Sequence, residues 1–201
     1  NKVMSLKTRF GNLGNILDFD NLTEEDIYVL DSPILTNSQF KKFKKIFSKK
    51  IKVIDCTFSI DQNLKSRIEQ IRKECEIAVR EGSSSLILSD KNISSTKASI
   101  PSILSVGAVH SHLVKLGLRG YCSINVESSD TLDTHSFAIL IGVGATTVNP
   151  YLAIDSIFQR YEKKLFGKSD FKNCVLKFKK SIDAGLLKIM SKMGISVISS
   201  Y

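Results

Sequence analysis

Apolar residues recur along the chain with two different periods, and these periods predict its secondary structure. Spacings of three and four residues predict helices over residues 39–48, 61–82, 101–118, 134–143, 152–165 and 170–194. Short apolar or alternating runs predict strands over residues 51–58, 86–88, 121–128, 146–148 and 195–200. Strand and helix alternate about five times, which is typical of βαβ units. The sequence therefore predicts an α/β fold with a mainly parallel sheet covered by helices.

Polar residues and helix breakers mark the ends of the predicted helices. The predicted N-terminal caps are Thr36 or Ser38, Asp61, Thr134 and Asp170, and Pro101 opens the third helix. Gly82 and Gly194 are expected to end the second and the last helix. Residues 121–128 alternate between apolar and polar side chains, so we expect a half-buried strand there.

The first 35 residues are less regular than the rest, because glycine and proline interrupt their short apolar pieces. We predict a lead-in segment or linker over residues 1–35 and an α/β domain over residues 36–201. The chain begins at Asn1 rather than at Met and stops at Tyr201 inside an apolar run. These ends predict an interior piece of a longer protein, with the α/β domain incomplete at its C-terminus.

The chain of 201 residues carries a formal net charge of +9, from 29 Lys and Arg residues against 20 Asp and Glu residues. Most of the excess lies in two lysine clusters, over residues 41–52 and 163–180, and Phe43 and Phe47 interleave with the first cluster. The pattern favours two solvated helix faces whose phenylalanines pack inward. A stand-alone basic module that binds nucleic acid through these lysines is the alternative.

Polar side chains stand at the ends of the predicted strands, where ligands gather in open parallel sheets and barrels. These residues are Asp55, Asp90, Glu127 and Asn149. One interpretation is a crevice with acid/base carboxylates. The favoured interpretation is structural, because strand-end carboxylates often cap the next helix and no nucleophile and base accompany them.

The three histidines do not form a metal-binding pattern. His110 and His112 are two residues apart on a predicted helix and point in different directions, so they cannot share a metal ion. His110 lies on the apolar stripe, where we expect a satisfied core histidine. His135 stands at the start of a helix and suggests no particular chemistry.

Other functional classes lack support in the sequence. The four cysteines, which are Cys56, Cys75, Cys122 and Cys174, are far apart, so neither a disulfide framework nor a zinc site is expected. Gly142 and Gly144 lack the third glycine and the preceding strand of a nucleotide-binding loop. The longest apolar run, over residues 137–148, is about 12 residues and too short to cross a bilayer.

The residues themselves resemble the central domain of glutamate synthases of the large-subunit type. The resemblance follows the family's order over essentially the whole chain, and the block over residues 184–196 is especially distinctive. The matching blocks are SLKTRFGNLGNILD (5–18), DSPILTN (31–37), IDCTF (54–58), ILSD (87–90), IPSILSVGAVH (100–110), NVES (125–128), GVGA (142–145), VNPYLA (148–153), AGLLKIMSKMGIS (184–196) and SY (200–201).

The resemblance implies a large multidomain enzyme of glutamate biosynthesis. An amidotransferase domain with an N-terminal cysteine hydrolyses glutamine, and ammonia passes inside the protein to a synthase barrel that holds FMN. There it adds to 2-oxoglutarate, and the imine is reduced to glutamate with electrons relayed by a 3Fe–4S cluster; some members also contain FAD. The family's central domain resembles a degenerate β/α barrel that connects the two sites. It carries no catalytic residue, cofactor or metal of its own, and no nucleic-acid or membrane partner is implied.

The resemblance also implies one candidate site and a choice of electron donor. The segment over residues 32–37 resembles the stretch beside the ammonia passage, so we expect Thr36 and Asn37 to line or gate that passage. The family uses either ferredoxin or a pyridine nucleotide. The Lys-, Asn- and Ile-rich composition resembles plastid-encoded members, which implies ferredoxin and the plastid stroma. The alternative is a bacterial cytoplasmic enzyme.

Overall fold

Helices and strands alternate in the computed structural model, which describes residues 4–13 and 27–201. The strands are β1 Thr8–Gly11, β2 Ile27–Leu30, β3 Ile51–Asp55, β4 Thr57–Ser59, β5 Ser85–Ser89, β6 Lys97–Ser99, β7 Ser123–Glu127 and β8 Thr147–Asn149. The helices are α1 Asn37–Ile46, α2 Leu64–Arg80, α3 Ser102–Lys115, α4 Thr134–Gly142, α5 Tyr151–Glu162 and α6 Phe171–Met193. Short 3-10 helices cover Arg119–Tyr121 and Ile198–Ser200. The predicted linker over residues 1–35 lies partly outside the described residues.

The centre of the fold is a four-stranded parallel sheet in the order β3, β5, β7, β8. Strands that follow one another along the parallel sheet are also neighbours in space, as in one arc of a β/α barrel. The predicted α/β fold with a parallel sheet is therefore confirmed. Within the described residues the sheet is an open arc and does not close into a barrel.

The β8 edge of this sheet is covered by the backbone of residues 33–35. Ile34 forms a parallel bridge with Val148, and the Val148 amide donates to the Pro33 carbonyl at 2.8 Å. The Leu35 amide in turn donates to the Val148 carbonyl at 2.9 Å. The segment that leads into α1 is thus fixed against the sheet.

One face of the sheet carries the main core. Alternate strand residues, including Leu86, Leu88, Ile124 and Val126, are buried in one cluster with apolar residues of α2, α3, α4 and α6. Because consecutive side chains of a strand point to opposite faces, the residues between them form the other face. Helices α2, α3, α4 and α6 therefore contribute to one apolar layer.

The other face is covered by α1 and by the antiparallel β1–β2 hairpin. Ile87 packs there in an aromatic cluster with Phe10, Phe40, Phe43 and Phe47. The inward packing predicted for Phe43 and Phe47 is confirmed. Because both faces are covered, β7 is buried at every residue, so the predicted half-buried strand is wrong.

The polar residues on that second face satisfy one another. Asn125 Nδ2 donates to Ser85 Oγ at 2.7 Å, and Thr147 Oγ1 donates to Asn125 Oδ1 at 2.6 Å. Asn125 Nδ2 also lies 3.1 Å from Ser123 Oγ. Buried polar groups are tolerated only with such partners, which explains an alternating pattern in a fully buried strand.

Two predicted caps are wrong by a short distance, and two are confirmed. Asn63, not Asp61, caps α2 through hydrogen bonds from the Lys65 and Ser66 amides. Asp133, not Thr134, caps α4, since its carboxylate accepts the Ser136 amide at 2.8 Å. Thr36 and Asp170 cap α1 and α6 as predicted.

Two predicted strands also need correction. Residues 51–58 divide into β3 and β4 at Cys56, and β4 pairs antiparallel with β6 outside the main sheet. Residues 195–200 form a single bridge, Val197 with Ser5, followed by a 3-10 helix. The apolar run is therefore used to cover the core with Ile198 rather than to extend the sheet.

The lysine clusters are not entirely solvated faces, which corrects that part of the prediction. Lys44 and Lys179 are part-buried and make ion pairs with Glu127 and Asp183. Several other lysines of the clusters are exposed, including Lys41 and Lys172. No helix among the described residues is both long enough and apolar enough to span a membrane.

Candidate functional site

The carboxyl ends of the four parallel strands bring together the polar residues that the sequence predicted. The registers pair Asp55 with Ser89, Ser89 with Glu127, and Glu127 with Asn149. The Asp90 amide donates to the Glu127 carbonyl, so Asp90 lies on the same edge. The predicted polar edge therefore exists, and we call it the carboxyl edge.

Glu127 is a buried carboxylate at the middle of the carboxyl edge. It accepts hydrogen bonds from Ser89 Oγ at 2.7 Å and from Lys44 Nζ at 3.2 Å, and Lys91 Nζ lies 2.9 Å away. Burial alone would raise the pKa of Glu127, but the hydrogen bonds from Lys91 and Ser89 and the charge of Lys44 lower it below its ordinary value. Glu127 is thus held as an anion.

Buried Asp90 and half-buried Tyr151 form a second pair on this edge. One carboxylate oxygen of Asp90 accepts the Ser129 amide at 2.8 Å and the Ser129 hydroxyl at 2.6 Å. Burial and the neighbouring Asp90 carboxylate raise the pKa of the Tyr151 phenol, so it stays protonated. Lys91 Nζ lies 4.9 Å from the centre of the Tyr151 ring.

Asp55 is engaged in local structure. Its carboxylate accepts the Thr57 amide at 3.0 Å, the Thr57 hydroxyl at 2.7 Å and the Asn92 amide group at 3.0 Å. Burial opposes these hydrogen bonds, which nevertheless lower the pKa of Asp55. The contacts of Asp55 and Glu127 fit the structural interpretation of the strand-end carboxylates, whereas Oδ1 of Asp90 is buried without a hydrogen-bond partner among the described residues.

Thr36 and Asn37 lie at the same carboxyl edge, where α1 begins. Thr36 Oγ1 accepts the Gln39 amide and Gln39 Oε1 accepts the Thr36 amide, which is a reciprocal capping box. Asn37 Oδ1 accepts from Asn149 Nδ2 at 2.9 Å, and its own Nδ2 donates to Asp155 Oδ1 at 3.2 Å. Asn37 is therefore joined to the strand-end residue Asn149, whereas the contacts of Thr36 lie within the first turn of α1.

The segment before Thr36 is fixed by α6. Ser32 Oγ donates to Asp183 Oδ1 at 2.7 Å, and Lys179 Nζ donates to the Ile34 carbonyl at 2.9 Å. Asn149 Nδ2 donates to the Leu35 carbonyl at 2.9 Å. The carbonyls of residues 34 and 35 therefore both accept hydrogen bonds from side chains. These bonds fix the course of the backbone as it approaches the carboxyl edge.

Lys44 and Lys179 contribute to the site although the sequence pattern assigned their clusters to solvent. A signal was available in each case. Lys44 follows Phe40 by four residues on α1, and Lys179 follows Val175 by four residues on α6, so each shares a face with a buried residue. A lysine on an apolar stripe carries its charge to a partner inside the protein.

The histidines and cysteines take structural positions. His110 Nδ1 accepts from Arg119 Nε at 3.1 Å, and His112 Nε2 lies 3.0 Å from Glu76 Oε2. The four cysteines are free and buried, and burial raises the pKa of Cys56 to about 12 and that of Cys122 to about 11. In the described part of the chain, no group of three His, Cys, Asp or Glu side chains is placed to hold a metal ion.

A family model and several curated relatives of this chain carry the description glutamate synthase. The family model of the glutamate synthase central domain matches residues 1–201. The NADPH glutamate synthase large chain of Azospirillum brasilense is 50% identical over 100% of this chain. The ferredoxin-dependent glutamate synthase of Pyropia yezoensis is 39% identical over 99% of it, and the chloroplastic ferredoxin-dependent enzyme of Spinacia oleracea is 37% identical over 99% of it.

The chain spans only a small part of these relatives, namely 13%, 14% and 13% of their respective lengths. The match nevertheless extends over every element described above, including the segment over residues 32–37 and the carboxyl edge. The chain therefore belongs to the glutamate synthase central domain family.

Proposed function

We propose that this chain is the connecting domain of a glutamate synthase, an oxidoreductase that makes L-glutamate from L-glutamine and 2-oxoglutarate. The observation that carries the proposal is the family match over residues 1–201 together with 50% identity to a glutamate synthase large chain. In this proposal residues 1–35 lead in from the amidotransferase side and residues 36–201 form the central domain. The chain itself is structural and guides ammonia, and it performs no catalytic step.

The cofactors of the proposed enzyme bind outside this chain. FMN, a 3Fe–4S cluster and, in some forms, FAD would supply electron transfer when bound in other domains. The described residues do not fit a cluster, because the four buried cysteines are separate and no group of three metal-ligating side chains occurs among them. The partners of this domain in the proposal are the amidotransferase and FMN-synthase domains of the same protein.

Thr36 and Asn37 are the residues that we propose to line or gate the ammonia passage. Their position supports this role, since both lie where α1 meets the carboxyl edge and their side chains have fixed partners. Both side chains are polar and uncharged, so they can exchange hydrogen bonds with neutral ammonia without forming an ion pair with it. The backbone there is rigid, because Leu35 and Ile34 are held by β8 and α6.

The test measures how well glutamine hydrolysis and glutamate synthesis stay coupled in the full-length protein. Thr36→Val combined with Asn37→Ala is expected to release free ammonia for each glutamine consumed, while synthesis from added ammonium chloride is retained. Because Thr36 also caps α1, Asn63→Ala is the matched control: it removes the cap of α2, away from the passage. Tight coupling in the double variant would contradict the proposed passage.

The proposal includes two alternative electron donors for the full-length enzyme, reduced ferredoxin and NADPH. Composition favours ferredoxin and the plastid stroma, and relatives named as ferredoxin-dependent and chloroplastic support that version. The higher identity, however, belongs to the relative named as NADPH-dependent, from a bacterium, which favours NADPH and a bacterial cytoplasm. Turnover of the full-length protein with NADPH and with reduced ferredoxin, measured side by side, decides between them.

A further inference from the structure

A cavity of about 980 Å³ lies at the amino ends of β7 and β8, opposite the carboxyl edge. It is enclosed by the β1–β2 hairpin, by the turns before these two strands and by residues near the C-terminus. The basic residues Lys7, Arg9, His110 and Arg119 line it, and none of its described lining residues is Asp or Glu. Among the described residues, the lining therefore carries positive charge from Lys7, Arg9 and Arg119 and no acidic side chain.

Arg119 is a half-buried cation in the lining of this cavity. Its Nε donates to His110 Nδ1, its Nη1 to the Cys122 carbonyl at 2.6 Å, and its Nη2 to the Gly144 carbonyl and to Thr146 Oγ1. One N–H on Nη1 remains beyond these contacts. Among the described residues Arg119 has no carboxylate partner, and burial lowers its pKa. A desolvated guanidinium without a counter-charge is costly.

His110 adds a second hydrogen-bond donor to this wall. Its ring packs against Gly144, where φ is +119° and where a Cβ atom would overlap the ring, so only glycine allows this approach. Nδ1 accepts from Arg119, so the neutral ring carries its proton on Nε2. Burial and the charge of Arg119 both lower the pKa of His110, which keeps the ring neutral.

We propose that this cavity binds a small organic anion, whose carboxylate or phosphate group pairs with Arg119 and whose apolar part contacts the hairpin and C-terminal side. The donors left for such an anion are the remaining Nη1 N–H of Arg119 and the Nε2–H of the neutral His110 ring, and Lys7 and Arg9 add positive charge to the lining. The apolar lining includes Phe10, Ile141 and Ile198. This inference stands apart from the proposed glutamate synthase function, because it uses the opposite end of the strands.

The test follows hydrogen–deuterium exchange of the full-length protein in sodium benzoate, sodium phosphate and sodium chloride at equal ionic strength. Benzoate supplies an anionic group with an apolar body, and phosphate supplies the anionic group alone. Chloride is the control for general screening of charges at the same ionic strength. We expect benzoate to protect peptides that cover residues 107–123 and 141–148 at lower concentrations than phosphate does, and chloride to leave them unchanged.

Variants identify the site. Arg119→Lys is expected to raise the half-saturating benzoate concentration about tenfold, equivalent to the loss of one hydrogen bond to a charged group. Because Arg119 also ties main-chain carbonyls together, Lys7→Gln with Arg9→Gln provides a second test with exposed side chains and is expected to weaken binding about threefold. Lys172→Gln with Lys177→Gln removes the same charge from α6 and should change nothing.

Three results would overturn the proposal. The first is equal protection by chloride, and the second is unchanged benzoate binding in both the Arg119 and the Lys7/Arg9 variants. The third is benzoate protection that appears only after the chain's own acidic residues at positions 18, 20, 24, 25 and 26 are neutralised. That last result would assign the cavity to a carboxylate of the chain rather than to a free anion.

Discussion

At the scale of single residues, Glu127 shows how this protein keeps a buried anion at the carboxyl edge. Its two carboxylate oxygens are shared among Ser89, Lys44 and Lys91, which belong to β5, α1 and the turn after β5. Both lysine side chains are partly open to water, whereas the carboxylate is buried. The Glu127 carboxylate therefore connects β7 to β5, to α1 and to the turn after β5.

Glu127→Gln is expected to lower the free energy of unfolding by about 1–3 kcal/mol at pH 7, the range for a buried charged hydrogen bond. The folded state lowers the pKa of Glu127, so its contribution is present above the ordinary value of 4.5 and is lost as pH falls through the folded-state pKa. The difference between wild type and variant should therefore shrink below about pH 4.5.

Denaturant unfolding from pH 7 down to about pH 3.5 measures this difference, and Glu81→Gln is the control because Glu81 is exposed at the end of α2. A difference that stays constant over this range, or one equal to that of the control, would show that the lysines do not stabilise the carboxylate.

At the scale of elements, the contact between α4 and α6 depends on one glycine. Gly185 lies in the middle of α6, and a Cβ there would come within 2.5 Å of Thr134 Cγ2 and 2.7 Å of Thr134 Oγ1. Real side chains do not approach so closely, so the two helices pack at this distance only because position 185 has no side chain. The glycine sits where a helix former would otherwise be preferred.

Gly185→Ala should destabilise the protein by about 1–2 kcal/mol, because the overlap with Thr134 exceeds the gain of about 1 kcal/mol in helix propensity. Thr134→Ala in the same chain removes Cγ2 and Oγ1 and should restore most of the loss, which a double-mutant cycle measures. Gly107→Ala on α3 is the control, since a Cβ there meets only Val143 at 4.0 Å. Equal effects at positions 185 and 107 would contradict the contact.

Element types were predictable from the sequence, and their surroundings were not. The helix predicted over residues 61–82 from its apolar spacing is α2, Leu64–Arg80, but Asn63 rather than Asp61 caps it, because either side chain satisfies the local capping pattern. The strand over residues 121–128, observed as β7 over Ser123–Glu127, is predicted as half-buried from its alternation. Its polar face is instead covered by α1 and the β1–β2 hairpin, which lie far away along the chain.

The candidate site was partly predictable for the same reason. Parallel strands end at one edge, so the sequence alone indicates that the strand-end residues Asp90, Glu127 and Asn149 lie together. It does not indicate which cations reach them, because Lys44 comes from a helix that packs on one face of the sheet. The Arg119 cavity was not predictable either, since it needs the hairpin, the turns before β7 and β8 and the C-terminal residues in one place.

At the scale of the whole molecule, the two edges of the sheet differ. Residues 33–35 cover β8, whereas β3 has one neighbour, β5, among the described strands, and Val53 on it is half exposed. The unpaired amide and carbonyl groups of an open sheet edge can form hydrogen bonds with the backbone of another strand. In the proposed glutamate synthase, this edge is available to the neighbouring domains, and the carboxyl edge with Thr36 and Asn37 carries the ammonia passage between their reaction sites.

The proposed passage of ammonia inside the protein is tested most directly by following nitrogen through the full-length protein. Glutamine labelled with 15N in its amide is supplied with 2-oxoglutarate, a reductant and an excess of unlabelled ammonium chloride. We predict that glutamate made from 2-oxoglutarate keeps nearly all of the label, because ammonia does not mix with the solvent, and that Thr36→Val with Asn37→Ala lowers this fraction. Label diluted to the level of the free ammonium pool in the unmodified protein, or no glutamate from 2-oxoglutarate at all, would contradict the proposed function.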